Sequence, residues 1–146
     1  MAFADDHVSL IVEMDKKLFV QAVEFSLDKQ WSQAEPIYRD LLTRHKYWPE
    51  LGNNLALLLL QTDRLNEAEK MFEQALRGTP SYKTTLHNRS QLYQYLASRA
   101  YDRALGEHKP AALPPLTLIE TIYQIKKNTE KEIYENEYVE DSALSD

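Results

Sequence analysis

The stretch Gly52-Asn53-Asn54-Leu55-Ala56-Leu57-Leu58-Leu59-Leu60-Gln61-Thr62-Asp63-Arg64-Leu65-Asn66-Glu67-Ala68-Glu69-Lys70-Met71-Phe72 carries two helical stripes separated by a turn. Gly52, Leu55, Ala56 and Leu59 recur at i, i+3, i+4 and i+7, which is one face of a helix. Asp63-Arg64 interrupts the pattern, and Asn66-Glu67-Ala68-Glu69 then has the form of a capping box that opens a second helix. Ala68, Phe72 and Ala75 line the inner face of that helix, and Gly78-Thr79-Pro80 stops it.

Shifting the chain by 34 residues lays Ala22 on Ala56, Phe25 on Leu59, Trp31 on Leu65, Ala34 on Ala68, Tyr38 on Phe72 and Leu41 on Ala75. Small residues meet small ones, and bulky residues meet mostly bulky ones. The first unit therefore predicts the same plan: a helix over Lys17 to Leu27, a turn at Lys29-Gln30 and a capping box at Ser32-Gln33-Ala34-Glu35. Pro36 falls in the first turn of the new helix, where a missing N–H costs least.

Gly52-x2-Leu55-Ala56-x2-Leu59, followed by Ala68-x3-Phe72, Ala75 and Pro80, resembles the signature of the tetratricopeptide repeat at its period of 34. The resemblance covers residues 49 to 82 best, then 15 to 48, and only in part the residues beyond. Gln21 and Lys46 depart from the pattern, as expected of an end repeat with one face toward solvent. The resemblance implies an all-α protein, a short right-handed solenoid of helical hairpins whose first helices line a concave face.

Beyond Pro80 the stripe Leu86, Ser90, Tyr93, Leu96, Ala97, Ala100, Tyr101, Ala104 and Leu105 runs on without a turn signal, which predicts one long capping helix from Lys83 to about Leu105. Gly106 to Pro115 reads as a loop, and Leu116 to Lys127 as a C-terminal amphipathic helix with Leu116, Ile119, Ile122, Tyr123 and Ile125 on one face. That face closes the core, or else forms a dimer contact. Residues 1–127 thus make one helical domain, followed by a tail at 128–146.

The net charge of −6 resides in that tail, where seven acids face the single base Lys131, while residues 1–127 are balanced. A solvated acidic tail is the expectation. A chain without a basic stripe is not built to neutralise phosphates, so nucleic acid is not an expected partner. The longest apolar run, Leu55 to Leu60, is far below the ~20 residues of a membrane span. Met1 to Asp6 lacks the basic and apolar stretches of a signal peptide, and the expected location is the cytoplasm, with an exported domain whose signal has been removed as the alternative. With 3 glycines, no cysteine and four scattered histidines (His7, His45, His87 and His108), phosphate loops, thiolate sites and local metal motifs are missing. The histidines other than His87 are expected to be plain surface residues, and neither cofactor, metal nor catalysis is expected. Trp48 is expected to pack between hairpins.

What remains is a binding surface. By the resemblance, the groove positions are Phe19, Val20, Val23 and Leu27 in the first unit, Asn53, Asn54, Leu57 and Gln61 in the second, and His87, Asn88, Gln91 and Tyr95 in the third. Asn54 and Asn88 lie 34 apart, where members of that family grip a ligand's backbone with an amide that both donates and accepts. Phe19 and Val23 stand where a carboxylate-capturing subgroup needs Lys and Asn, so no carboxylate clamp is expected. The function expected is that of an adaptor or scaffold holding an extended peptide or helix of a partner protein. The alternatives are a secretion-type chaperone, or a structural homodimer joined through its C-terminal helix.

Overall fold

The computed structural model describes residues 2–46, 48–78, 83–107 and 112–120. Five helices follow one another: α1 Ala2–Leu27, α2 Trp31–Arg44, α3 Pro49–Gln61, α4 Leu65–Gly78 and α5 Lys83–Ala104. There is no strand among the described residues, and no helix is long and apolar enough to cross a membrane. The acidic tail and residues 121–127 of the expected last helix lie outside the described residues, as does His108.

Each helix packs on its neighbour in sequence, and α3 touches all four others. That position explains its composition: from Pro49 to Leu60 every residue of α3 is buried, and a helix covered on all sides must be apolar or internally bonded all round. Most residues paired by the 34-residue shift are buried alike, although Phe25 is half-buried where Leu59 is fully covered. Ala22, Ala56, Ala34, Ala68, Tyr38 and Phe72 all lie in the core. The two α-helical pairs are closed by the same turn. Lys29 and Asp63 adopt left-handed backbone with φ of 59° and 57°. Around them Gln30 N–H donates to Phe25 O and Lys29 N–H to Ser26 O, just as Arg64 N–H donates to Leu59 O and Asp63 N–H to Leu60 O. This is the Schellman arrangement, which satisfies carbonyls that a helix end leaves orphaned.

Because these turns are so tight, the second helices begin at Trp31 and Leu65, one residue before the expected caps. Ala34 N–H donates to Gln30 O and Ala68 N–H to Arg64 O, so Ser32 and Asn66 already sit inside the first turn and neither capping box forms. Pro36 is accordingly past the first turn of α2; the carbonyl it leaves unbonded belongs to Ser32, an exposed residue. Glu35 serves a different purpose from capping. It accepts hydrogen bonds from Arg64 and Arg39, and Arg39 also reaches Glu67, which ties α2 to the α3–α4 turn and to α4. Arg64 chiefly, with help from Arg39, holds the Glu35 carboxyl below its ordinary value against the opposing effect of burial.

At the other end of α2, buried Asp15 of α1 binds Arg44 and His45. His45 is thus no free surface histidine; its ring is largely covered and stacks on Trp48 with centroids 3.6 Å apart. Trp48 packs against the core as expected. α1 extends well before Lys17, and its early apolar residues Val8, Leu10, Ile11 and Met14 are exposed. α5 spans the expected range, but its buried residues, Thr85, Asn88 and Leu92, all lie in its first half. The major departure concerns the C-terminal helix: residues 112–120 form no helix and run as irregular backbone across the α3 and α5 faces.

At Gly52, α3 lies close against α4. A Cβ there would stand 2.9 Å from Ala75 Cβ and 3.0 Å from the Met71 carbonyl oxygen. Helix propensity alone favours Gly52→Ala by ~0.5–1 kcal/mol. The clash with backbone outweighs that gain, and we expect a net loss of ~1–2 kcal/mol in denaturant unfolding. For Glu35, whose carboxyl is lowered in the folded protein, the ion pairs contribute above its ordinary value near 4.5 and are lost as pH falls below it. Glu35→Gln should therefore lower the melting temperature at pH 7 and shrink the difference from wild type as the acid limb is reached.

Candidate peptide-binding groove

Asn53 and Asn54 are on the fully buried α3, and Asn88 is on α5; all three are 0% exposed. Buried amides are costly unless both ends are bonded, and here the partner is the chain's own segment. Asn54 Nδ2 donates to Ile119 O at 2.7 Å while Ile119 N–H donates to Asn54 Oδ1 at 2.9 Å. Asn88 repeats this on Thr117: Nδ2 to Thr117 O at 2.8 Å, and Thr117 N–H to Oδ1 at 2.9 Å. Asn53 bridges the two, donating to Asn54 Oδ1 and Thr117 O and accepting from Asn88 Nδ2. Three amides thus form one connected chain with every polar end used.

The register has a simple geometric origin. In extended backbone the N–H and C=O of one residue point to the same side, and residues two apart repeat that direction. Thr117 and Ile119 therefore meet Asn88 and Asn54 in turn. The same bonds explain why Leu116 to Glu120 is not helical: the amide hydrogens of Thr117 and Ile119 are committed to side chains, and Pro114-Pro115 biases the approach toward extended backbone. Leu113, Leu116 and Leu118 pack against the core, and Ile119 is 7% exposed.

Behind Asn54 lies Tyr38, whose phenol is pushed up to about 12 by burial, against the opposing effect of hydrogen bonds to Ser26 and Asn54. Tyr38 is also 3.2 Å from Ser26 Oγ, so the groove floor is joined to the α1–α2 packing. Beside the segment opens a cleft of about 220 Å³ whose lining combines apolar residues (Leu27, Trp31, Leu57, Leu58, and Leu116 and Leu118 of the segment) with polar ones (Ser26, Lys29, Asn54 and Gln61).

Of the residues expected to line a groove, Asn53, Asn54 and Asn88 converge on the segment, and Leu57 and Gln61 border the cleft. His87 is exposed, and Gln91 and Tyr95 are half-buried; none of the three bonds to the segment among the described residues. Tyr95 packs on the core under the Arg99 guanidinium. In the first unit, Phe19 and Val23 are core residues instead of groove residues, because Phe19 stands edge-on against Tyr38. Val20 is exposed, and Leu27, though also largely exposed, borders the cleft. Sequence reasoning did not anticipate Ser26, Trp31 or Tyr38 near the site, nor the segment itself. The alternation Leu116-Thr117-Leu118-Ile119 after two prolines was the available signal for extended backbone.

No family model, curated protein or solved structure matches this chain.

The three asparagines bond to the segment as well as to one another, so they contribute to stability by holding it. Asn54→Ala or Asn88→Ala should each cost ~1–3 kcal/mol, since the first leaves the N–H and C=O of Ile119 without a partner and the second leaves Thr117 N–H and Asn53 Oδ1 without one. The double variant should cost less than the sum, because both hold one segment that is released once. Strict additivity in denaturant unfolding would show that the two amides act independently.

Proposed function

We propose that this chain is a small peptide-binding adaptor, built from two tetratricopeptide-like hairpins and a capping helix, that holds an extended segment of a partner protein without catalysing a reaction. The observation that carries the reading is the paired grip of Asn88 and Asn54 on the N–H and C=O of residues two apart. Such a grip reads backbone and not side chains, which is what recognition of an extended peptide requires. Support for the hairpin reading comes from the matched burial of residues 34 apart and from the matched turns at Lys29 and Asp63. Both amides occupy equivalent places one period apart.

Selection from a random-peptide display library against the full chain tests this. The expected winners are aliphatic sequences whose affinity falls by about one to three orders of magnitude for the Asn54→Ala, Asn88→Ala double variant, with helicity retained by circular dichroism. Peptides that bind wild type and double variant equally would place recognition on another face and contradict the reading.

A further inference from the structure

The groove is occupied by the chain itself, and the occupant leaves part of it unfilled. Leu116 and Leu118 lie two apart in extended backbone, so both side chains project to one side, into the cleft of about 220 Å³ beside Leu27, Trp31, Leu57 and Leu58. The cleft is open to solvent on one side and also lined by Ser26, Lys29 and Gln61, so an aromatic ring fits with its face on the apolar wall and its edge toward the polar rim. Of the two, Leu118 is the better held, because the residues on either side of it, Thr117 and Ile119, are the ones clamped. A larger side chain at that place would fill the cleft without disturbing either clamp.

Tethering decides what kind of ligand can compete. Residues 105–115 join the segment to α5, and so short a connection presents the segment at an effective concentration on the order of mM. A second copy of this chain brings the same contacts without that advantage, so it cannot displace the resident segment. A successful competitor must bring a contact that the resident lacks.

We propose that residues 116–120 are a resident competitor in the groove, and that the ligand displacing them is an extended segment of a partner protein with an aromatic side chain at the place of Leu118. Its backbone takes the two asparagine clamps in the same register, its flanking residues are aliphatic, and its ring enters the cleft between Trp31 and Leu57. This inference rests on the peptide-binding reading and adds to it the ligand's defining side chain and the source of its regulation: affinity in trans is lowered by whatever the resident segment contributes in cis.

The test is fluorescence anisotropy with two labelled peptides, one spanning residues 112–120 and one identical except for Leu118→Phe, titrated with the full-length protein. Three further full-length proteins are used: Thr117→Pro, which removes the N–H that Asn88 accepts; Leu118→Phe; and one with a flexible Gly-Ser insertion after Glu107 that lengthens the tether about fourfold. Thr117→Pro should bind both peptides at least tenfold more tightly than wild type. The insertion should tighten binding up to about eightfold through the lower effective concentration, with no groove contact altered. The Leu118→Phe peptide should bind roughly tenfold more tightly than its parent, as expected when about 50 Å² more ring surface is covered. The same substitution in the protein should act in reverse, weakening both peptides and raising the melting temperature.

Equal peptide affinity for wild type, Thr117→Pro and the insertion variant would overturn the competitor while leaving the peptide-binding reading intact. Absence of binding to any variant, with helicity retained, would overturn that reading itself and make the segment a fixed closure. A Leu118→Phe peptide no tighter than its parent would overturn the aromatic assignment. A wild-type dimer by light scattering that Thr117→Pro returns to monomer would give the groove to exchange between copies.

Discussion

A side-chain amide taken out of water has to find both a donor and an acceptor, and the rest of this molecule is arranged around three that do. Asn53, Asn54 and Asn88 are fully buried between α3, α5 and the segment 112–120, and the backbone of Thr117 and Ile119 completes their bonding. Leaving such groups unpaired costs more than making the bonds gains. The consequence runs in both directions. The amides need an extended chain over them, and an extended chain, which has no internal hydrogen bonds, needs a bonded surface beneath it.

The helices supply the precision this requires. Two amides on different helices grip residues two apart only if α3 and α5 are held at a fixed separation. α3 is fixed by contact with every other helix and by the absence of a side chain at Gly52, where Ala75 and Met71 approach. α5 is fixed by its first half, through Leu92 and Asn88, while the far end projects with Tyr101 and Leu105 exposed. Polar ties at the periphery, Glu35 with Arg64 and Arg39, and Asp15 with Arg44 and His45, keep α1 and α2 in register with the rest. Tyr38 connects the two regions, touching Ser26 of α1 and Asn54 of the groove.

How much of this was readable follows from what each feature depends on. The all-helical class, the turns at Lys29-Gln30 and Asp63-Arg64 and the extent of α5 depend on local patterns of small, bulky and turn-forming residues, and they were legible. So was the pairing of Asn54 with Asn88, because a period of 34 is written directly in the residues. Two features were not. The capping boxes at Ser32 and Asn66 were displaced by turns that left no room for a separate cap. Leu116 to Glu120 was read as helix because Leu116 and Ile119 suit a helical stripe; the competing bonds come from asparagines about 30 and 65 residues away and are invisible to any local pattern. The buried state of the amides was missed for the same reason, since a groove read from one set of helices looks open until its occupant is known.

Amide hydrogen exchange at four successive residues, measured by NMR on the full chain, bears most directly on the clamp. Thr117 and Ile119 N–H groups donate to asparagine side chains, whereas those of Leu116 and Leu118 point to the opposite edge and have no partner among the described residues. The account predicts alternation: slow exchange at Thr117 and Ile119, fast exchange at Leu116 and Leu118. Consecutive protection across all four would indicate a helix, and uniformly fast exchange would indicate a segment that is not held; either result would contradict the clamp.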